Sequence, residues 1–289
     1  MTAQLIEGGP IADAIKEQVK NDLAELSRPP RLVGVLASDN PGARYYAQSQ
    51  EKACAEVGVE YELHQLDPQS SSEAVVSHIQ DLNDDPAVSG VILLMPVPEG
   101  VNPRTVQAAI APDKDVEGVH PANIGRLFYG SFALAPCTPM AVVAMLRDAG
   151  VDLKGKETVV IGHSEIVGKP LVVMLLQSLM ASPTVTCCHI ATRDLAAHVA
   201  RAEVLVVAAG KAGLVKGEMI REGAVVIDVG INRVRVEVDG KKKTRIVGDV
   251  EFDAARERAA MVTPVPGGVG LVTTAILLRN TVECARRQA

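Results

Sequence analysis

Tyr46 and Gln50 lie four residues apart in a stretch that follows the turn signal Asp39-Asn40-Pro41-Gly42 and runs as a helix to about Val57. Residues at this spacing share one helix face, so both side chains are expected to point at the same place. Because Tyr46 opens a helix after a surface turn, the position favours a ligand-facing tyrosine over a core tyrosine. The Gln50 amide can hydrogen-bond but cannot titrate, so it cannot act as an acid or a base.

A second segment, V-V-I-G-H-S-E-I-V-G-K-P at 159–170, places glycines where a strand turns into a helix. Glycine lets the backbone approach a pyrophosphate, and the helix N-terminus supplies free N–H groups and a positive dipole end. Ser164 replaces the second glycine of the common G-x-G-x-x-G spacing, so this segment alone fits a turn without a nucleotide equally well. Gly210 and Gly230 each end an apolar strand, where a cofactor lies in such sheets.

The elements that position these motifs alternate between strand and helix along the chain. Strands are predicted at about 32–37, 59–66, 91–95, 158–161, 184–190, 204–210 and 224–230, with a hairpin around 233–247. Helices are predicted at about 10–26, 72–82, 139–149 and 271–286. Two more are predicted, one that follows the turn at 39–42 and ends at about Val57, and one that follows the loop at 162–170 and ends at about Met180. Aliphatic residues dominate, with no Trp and only three Phe, which suits a parallel sheet buried on both faces.

The break Pro136-Cys137-Thr138-Pro139 marks a domain boundary, with Thr138 as the expected N-cap of a linking helix. The sequence therefore predicts an α/β protein of two domains, residues 1–138 plus 271–289 and residues 139–270. Repeating β–α units imply right-handed crossovers.

Composition excludes several classes of protein. The net charge of −6 argues against nucleic acid as the main partner, and the chain contains no signal peptide and no apolar run long enough to span a membrane. The five cysteines are odd in number and lack metal-ligand spacing. We therefore expect reduced thiols, a cytoplasmic protein and no bound metal. Cys187-Cys188 is interpreted as part of a strand, and Lys241–Lys243 after Asp239-Gly240 as a solvated hairpin tip.

Motifs along nearly the whole chain resemble those of the methylenetetrahydrofolate dehydrogenase/cyclohydrolase family. They are D-N-P, P-D-K-D-V-E-G-V-H-P-A-N-I-G-R-L, P-C-T-P, the loop at 162–170, G-A-V-V-I-D-V-G-I-N-R, V-G-D-V and T-P-V-P-G-G-V-G. The resemblance implies an N-terminal α/β substrate domain, a Rossmann-like dinucleotide-binding domain and a cleft between them. It also implies hydride transfer from 5,10-methylenetetrahydrofolate to NADP, with NAD possible, by a homodimer that contacts through the cofactor domain.

The resemblance assigns residues to each site. Tyr46 matches the tyrosine that stacks on the aromatic part of the substrate, and the catalytic positions are Tyr46, Gln50, Leu94 and Glu117. Substrate is also expected at Pro96, Pro98, Gly267 and Gly268. The cofactor is expected at Gly162, His163, Ser164, Ile166, Val167, His189, Thr192, Arg193, Ala209, Gly210, Gly230, Ile231, Asn232 and Thr273.

Three substrate positions depart from the family pattern. Gln50 replaces a lysine, Leu94 replaces the glutamine of Q-L-P-L-P, and Glu117 replaces the pterin-binding aspartate of D-V-D-G. Hydride removal needs positioning and a water-poor site, whereas hydrolysis of the methenyl product needs a titratable group. In the family the lysine, assisted by the glutamine, fills that role. We therefore expect a dehydrogenase whose cyclohydrolase activity is absent or strongly reduced.

Several alternatives remain open at the level of sequence. His163 and Arg193 can contact a 2′-phosphate, but Ile190 stands where the family often has a serine or a basic residue, and Asp194 is the one acid near the end of that strand. The chain can also be a paralogue that acts on a different folate-like or pterin compound, or an enzyme that is still bifunctional. A non-catalytic folate or nucleotide binder fits least, because the cofactor loops are largely intact.

Overall fold

The computed structural model describes residues 2–238 and 241–288. In chain order its strands and helices are β1 (Gln4–Leu5), α1 (Gly8–Leu23), β2 (Arg31–Leu36), α2 (Pro41–Val57), β3 (Glu60–Gln65), α3 (Ser72–Asp84), β4 (Gly90–Leu94), α4 (Pro103–Gln107), α5 (Pro121–Phe128), α6 (Cys137–Asp148), β5 (Glu157–Ile161), α7 (Gly168–Leu175), β6 (Thr184–Cys188), α8 (Leu195–Arg201), β7 (Val204–Val207), β8 (Val225–Asp228), β9 (Asn232–Val238), β10 (Lys241–Val247), α9 (Phe252–Arg258), β11 (Met261–Val262) and α10 (Val269–Arg287). The predicted α/β class is confirmed.

One compact unit, here the six-stranded unit, comprises Met1–Ala12 and Thr138–Thr273. Its sheet has the strand order β1-β11-β8-β7-β5-β6, and every pairing in it is parallel. The central strands are continuous apolar runs because both faces of the sheet are covered. Ile161, Leu205 and Val226, for example, are fully buried.

The other unit, here the three-stranded unit, comprises Asp13–Cys137 and Thr274–Ala289. Its parallel sheet has the order β3-β2-β4. Alternate residues of the central strand serve opposite faces. Val33 and Val35 pack in one apolar cluster with Val75 and Ile79 of α3, while Leu36 belongs to a cluster that includes two alanines of α2.

The structure differs from the predicted domain boundaries at the amino terminus. The first twelve residues belong to the six-stranded unit, although the sequence places them with the folate domain. The physical reason is strand pairing, since Gln4 and Leu5 lie beside Met261 and Val262 as the edge strand of the large sheet. A two-residue strand gives no periodic signal in the sequence, so only its distant partner reveals it.

Two predicted helix ends are also wrong. Helix α6 begins at Cys137 rather than after a Thr138 cap, and Pro139 is tolerated because its missing N–H falls in the first turn. Helix α7 ends at Leu175 rather than near Met180. There the Ser182 hydroxyl accepts from the Ser178 N–H at 3.1 Å, a local turn bond that competes with further helix.

Several smaller expectations concern strands and cysteines. β9 and β10 pair antiparallel, as predicted, whereas the predicted tip at Asp239-Gly240 lies outside the described residues. All five cysteines are free, and Cys187 and Cys188 end β6, the first exposed and the second buried. Across residues 2–238 and 241–288, no helix combines the length and apolarity that crossing a membrane requires.

Candidate functional site

Helix α2 carries the first predicted pair and is capped at both ends. The Asn40 side chain accepts hydrogen bonds from the N–H groups of Gly42 at 2.8 Å and Ala43 at 3.1 Å, and Gly58 closes the helix with φ of 95°. This geometry sets Gln50 one turn beyond Tyr46. Gln50 is 1% exposed, whereas Tyr46 keeps 42% of its surface exposed. The tyrosine ring is thus open to a ligand while the amide faces the protein interior.

The hydroxyl end of Tyr46 brings the predicted substrate residues together. Desolvation, followed by the nearby Glu117 carboxyl, raises the pKa of Tyr46 to about 12, and the Gln50 side chain acts in the opposite direction. Tyr46 therefore remains a neutral phenol at physiological pH. Three of the four predicted catalytic positions converge on this point.

Glu117 is the group in this cluster that titrates nearest to neutrality. Desolvation, reinforced by Asp115, raises its pKa from 4.5 to about 8. Its segment is fixed by Asn280 of α10, whose Nδ2 donates to the carbonyl of Val116 at 2.9 Å. On the other side Gly118 has φ of 67°, and a Cβ there would lie 2.3 Å from the carbonyl carbon of Ala135. The carboxyl is therefore held by a tightly packed backbone.

Leu94 takes no part in hydrogen bonding through its side chain. It is 1% exposed and packs with Leu36 of β2 and with Ala43 and Ala47 of α2, on the helix face that also carries Gln50. Of the two prolines predicted to bind substrate, Pro96 is exposed and Pro98 is buried just after β4. Apolar packing, not polar contact, joins β4 to α2.

The predicted substrate glycines Gly267 and Gly268 belong to the six-stranded unit, unlike the other predicted substrate residues. The Gly8 N–H donates to the Gly267 carbonyl at 2.8 Å, and a Cβ on Gly8 would lie 2.1 Å from the Gly268 oxygen. This glycine-to-glycine contact anchors the loop that precedes α10. The loop is thus packed against the start of α1, which belongs to the same unit.

The turn between β5 and α7 is too tight for side chains at its two glycines. Gly162 has φ of 125°, and a Cβ on Gly168 would lie 1.9 Å from the Gly162 oxygen. The Ser164 hydroxyl accepts from the Val167 N–H at 3.1 Å and so organises the turn in place of a second glycine. This close approach of strand and helix is the geometry that lets a backbone reach a pyrophosphate.

A cleft of about 280 Å³ opens beside this turn, and it is lined by Gly162, His163, Ser164, His189, Ile190, Ala208 and Ala209. The rings of His163 and His189 stack across it with centroids 4.7 Å apart. Thr192 fixes the second histidine, because its Oγ1 accepts from the His189 N–H at 2.9 Å. The cleft therefore brings together five of the residues that the sequence assigns to the cofactor.

Two buried aspartates hold the other predicted cofactor residues at the ends of β7 and β8. Asp249 accepts from the N–H groups of Ala209 at 2.7 Å and Gly210 at 2.8 Å, and from Asn232 Nδ2 at 2.8 Å. Asp228 accepts from the N–H of Gly230 at 2.9 Å. Desolvation raises the pKa of Asp228 to about 6, against the lowering effect of its backbone hydrogen bonds.

The remaining predicted cofactor residues differ in exposure. Ile166 and Ile231 are 51% and 66% exposed, Arg193 is exposed, and Val167 is partly buried. Thr273 donates to the Val269 carbonyl at 3.0 Å within α10, so its hydroxyl is already paired inside the helix. The exposed side chains are therefore accessible to a bound molecule, whereas the Thr273 hydroxyl is engaged within its helix.

Three functional candidates escape the sequence analysis: Tyr61, Asn280 and Asp249. Tyr61 donates to Gln50 at 3.4 Å, Asn280 holds the segment of Glu117, and Asp249 ties together three loop residues. One signal was available for Asn280, since it is a polar residue on the apolar face of the last helix. Tyr61 gives no local signal, because its partner is on another element.

Fit to a dinucleotide follows from the turn at 162–168, where the missing Cβ atoms let the start of α7 pack directly against the end of a parallel strand. Gly210 adds open space, since a Cβ there would meet nothing within 4 Å. Such a turn at the carboxyl ends of a parallel sheet is typical of the class of dinucleotide-binding oxidoreductases.

Comparisons with known proteins narrow this class. Residues 6–117 match the catalytic domain of tetrahydrofolate dehydrogenase/cyclohydrolase, and residues 136–289 match its NAD(P)-binding domain. The bifunctional protein FolD of Salinibacter ruber is 45% identical over 99% of this chain and 97% of its own. The chain belongs to the tetrahydrofolate dehydrogenase/cyclohydrolase family, and it is an NAD(P)-dependent methylenetetrahydrofolate dehydrogenase.

Solved structures agree with this assignment. The bifunctional FolD from Campylobacter jejuni is 36% identical with a TM-score of 0.91, over 99% of this chain and 100% of that chain. The Trypanosoma brucei methylenetetrahydrofolate dehydrogenase-cyclohydrolase, solved with NADP and an inhibitor, is also 36% identical, with a TM-score of 0.92 over 99% and 98%. The two-domain α/β fold is thus shared with enzymes of this family.

Proposed function

We propose that the protein oxidises 5,10-methylenetetrahydrofolate to the methenyl form and has lost most or all of the cyclohydrolase activity. The observation that carries the proposal is Gln50, which stands on α2 at the position of the family lysine and is buried. An amide cannot gain or lose a proton near neutral pH, so it cannot serve water attack at the methenyl carbon.

The surroundings of Gln50 support the same conclusion. Leu94 fills the space between β4 and α2 with apolar contacts and offers no hydrogen bond to residue 50. Lys52 is exposed, and two residues along a helix turn it about 200° away from Gln50. Neither replaces the missing acid or base.

Dehydrogenation makes smaller demands, which the remaining residues meet. A nicotinamide supplies the hydride acceptor when bound. Tyr46 offers a half-exposed ring against which the aromatic part of the folate stacks. Glu117, once ionised, accepts two hydrogen bonds from the amino-pyrimidine edge of the pterin. These contacts position the methylene carbon without any proton transfer.

The assay compares the two half-reactions on one preparation. Dehydrogenation is followed as cofactor reduction with methylenetetrahydrofolate, and hydrolysis as loss of added methenyltetrahydrofolate. We expect rapid reduction and hydrolysis near the uncatalysed rate. Gln50→Lys alone leaves hydrolysis low because Leu94 is apolar, whereas Gln50→Lys with Leu94→Gln raises it. Rapid hydrolysis by the unmodified protein would refute the proposal.

We propose NADP as the preferred cofactor. The stacked His163 and His189 border the cleft, and an imidazole N–H can donate a hydrogen bond to a phosphate oxygen, which suits a 2′-phosphate. The same reduction assay with NADP and NAD tests this preference. We expect a lower KM for NADP, and His163→Gln should narrow the difference; equal KM values in the unmodified protein would contradict it.

We also propose that the protein is a homodimer through the six-stranded unit. The segment after α7 exposes Leu176, Leu179 and Met180 by 52%, 101% and 78%. Side chains of this kind are covered in a stable assembly. Light scattering after size exclusion should give twice the chain mass, and Leu179→Asp should reduce it; a monomer at micromolar concentration would contradict the proposal.

A further inference from the structure

The Gln50 side chain is buried with one polar end unsatisfied. It is 1% exposed, and its Nε2 forms no hydrogen bond of normal geometry in the described part of the protein, although the amide lies close enough to the Tyr46 oxygen to lower the pKa of that phenol. A buried N–H donor without an acceptor destabilises a folded protein. Because this donor lies beside Tyr46, whose pKa it influences, a ligand at the tyrosine is placed to supply the acceptor.

The other end of the amide is held by Tyr61 of β3. The Tyr61 hydroxyl donates to Gln50 Oε1 at 3.4 Å. Desolvation raises the pKa of Tyr61 far above its usual range, so the phenol keeps its proton and remains a donor. With Oε1 engaged on the β3 side, the amide turns Nε2 away from that strand.

Gly34 provides the room for this contact. It lies on β2, the central strand between β3 and β4. A Cβ at residue 34 would lie 2.3 Å from the Tyr61 oxygen and 3.1 Å from its Cζ. Any other residue at this position would displace the phenol, so the glycine in the middle of this strand makes room for the Tyr61 side chain.

The opposite neighbour of β2 gives Gln50 no polar contact. Leu94 of β4 is enclosed by Leu36, Ala43 and Ala47. Of the two strands that flank β2, it is therefore β3 that gives the Gln50 amide a hydrogen bond.

We propose that Tyr61, with space provided by Gly34, is a positioning residue that holds Gln50 so that Nε2 donates a hydrogen bond to an oxygen or ring-nitrogen acceptor of the bound folate. This inference rests on the proposed function, since it assigns a substrate-binding role at the same site. Gln50 then acts in binding and not in proton transfer, and Tyr61 acts through it without touching the substrate.

Tyr61→Phe tests the orienting contact. Loss of one neutral hydrogen bond corresponds to a rise of about five-fold in KM for methylenetetrahydrofolate, with kcat changed less than two-fold and the cofactor KM unchanged. The matched control is Tyr45→Phe, at a tyrosine that is 68% exposed on α2, and it should leave KM unchanged. An unchanged KM in Tyr61→Phe would refute the proposal.

Gln50→Met separates a binding role from a structural one. In the Tyr61→Phe background, where the loss of Gln50 Oε1 leaves no phenol without an acceptor, removing the unsatisfied donor should raise the melting temperature of the free protein. In the unmodified background KM for the folate should rise. A lower melting temperature with unchanged KM would show that Gln50 serves packing alone, and the proposal would fail.

A double-mutant cycle tests the role of Gly34. Gly34→Ala should raise KM in the unmodified background and much less in Tyr61→Phe, because the clash is chiefly with the phenol oxygen. If the effects of Gly34→Ala and Tyr61→Phe on KM were additive, Gly34 would not act by leaving room for the Tyr61 hydroxyl. The affinity of every variant for tetrahydrofolate, measured by calorimetry, separates a failure of the proposed function from a failure of this inference. If the unmodified protein reduces no cofactor, the proposed function is refuted. If all variants bind tetrahydrofolate with equal affinity, this inference is refuted.

Discussion

Replacing Glu117 with glutamine should make the free protein more stable at high pH and lower its affinity for the substrate. The pKa of this carboxyl is raised from 4.5 to about 8 by desolvation and by Asp115. A raised carboxyl pKa means that folding favours the neutral form. The stabilisation is complete below the unfolded pKa of 4.5 and is lost as the pH rises through about 8.

The magnitude follows from the same two values. The change in pKa corresponds to about 5 kcal/mol between the ionised and neutral forms. Because residue 117 keeps part of its surface exposed to solvent, screening reduces the expected effect on stability to roughly 2 kcal/mol. Glu117→Gln should therefore raise the melting temperature by about 4–8 °C at pH 9 and change it little at pH 5. Glu99→Gln, at an exposed position in the same unit, is the control.

Substrate binding should respond in the opposite direction. A carboxylate accepts two hydrogen bonds from a pterin edge, whereas a neutral acid or an amide offers a donor in one of those places. KM for methylenetetrahydrofolate should fall in the unmodified protein between pH 7 and 9, and it should be high and independent of pH in Glu117→Gln. Equal stability of the two proteins at pH 9, or parallel pH profiles of KM, would refute the reasoning.

Two further predictions concern the cofactor site. Gly168→Ala places a Cβ 1.9 Å from the Gly162 oxygen, so it should cost about 1–3 kcal/mol of stability and raise the cofactor KM. Gly9→Ala, where a Cβ meets nothing within 4 Å, is its control in thermal unfolding and cofactor titration, and equal behaviour of the two would contradict the steric argument. Asp249→Asn should raise the cofactor KM about ten-fold, because one amide cannot accept from both Asn232 and the loop N–H groups. Adding Asn232→Asp should restore the KM in steady-state kinetics, and no recovery would exclude the orienting role.

The strands and the glycine turns were predictable from sequence because their causes are local. Continuous apolar runs such as 204–207 and the glycines at 162 and 168 specify a buried strand and a tight turn within a few residues. The cap of α2 by Asn40 is equally local, since donor and acceptor lie two or three residues apart.

Other features depend on contacts between residues far apart in the chain, and these features could not be predicted from the sequence. The first twelve residues join the six-stranded unit because β1 pairs with β11. Asn280 holds the Glu117 segment from 164 residues away, and Asp249 reaches Ala209 across 40 residues. No periodicity within either segment encodes such a partner.

By itself the sequence determined the α/β class, the dinucleotide turn and the position of Tyr46, Gln50 and Glu117 among the motifs of a folate enzyme. Only the tertiary structure decided which of these groups is buried, what orients it and where it titrates. The physical reason is that desolvation and orientation belong to the surroundings of a side chain. Gln50 has Tyr61 as its hydrogen-bond partner because β3 packs beside α2, and Glu117 has a pKa of about 8 because packing desolvates it beside Asp115.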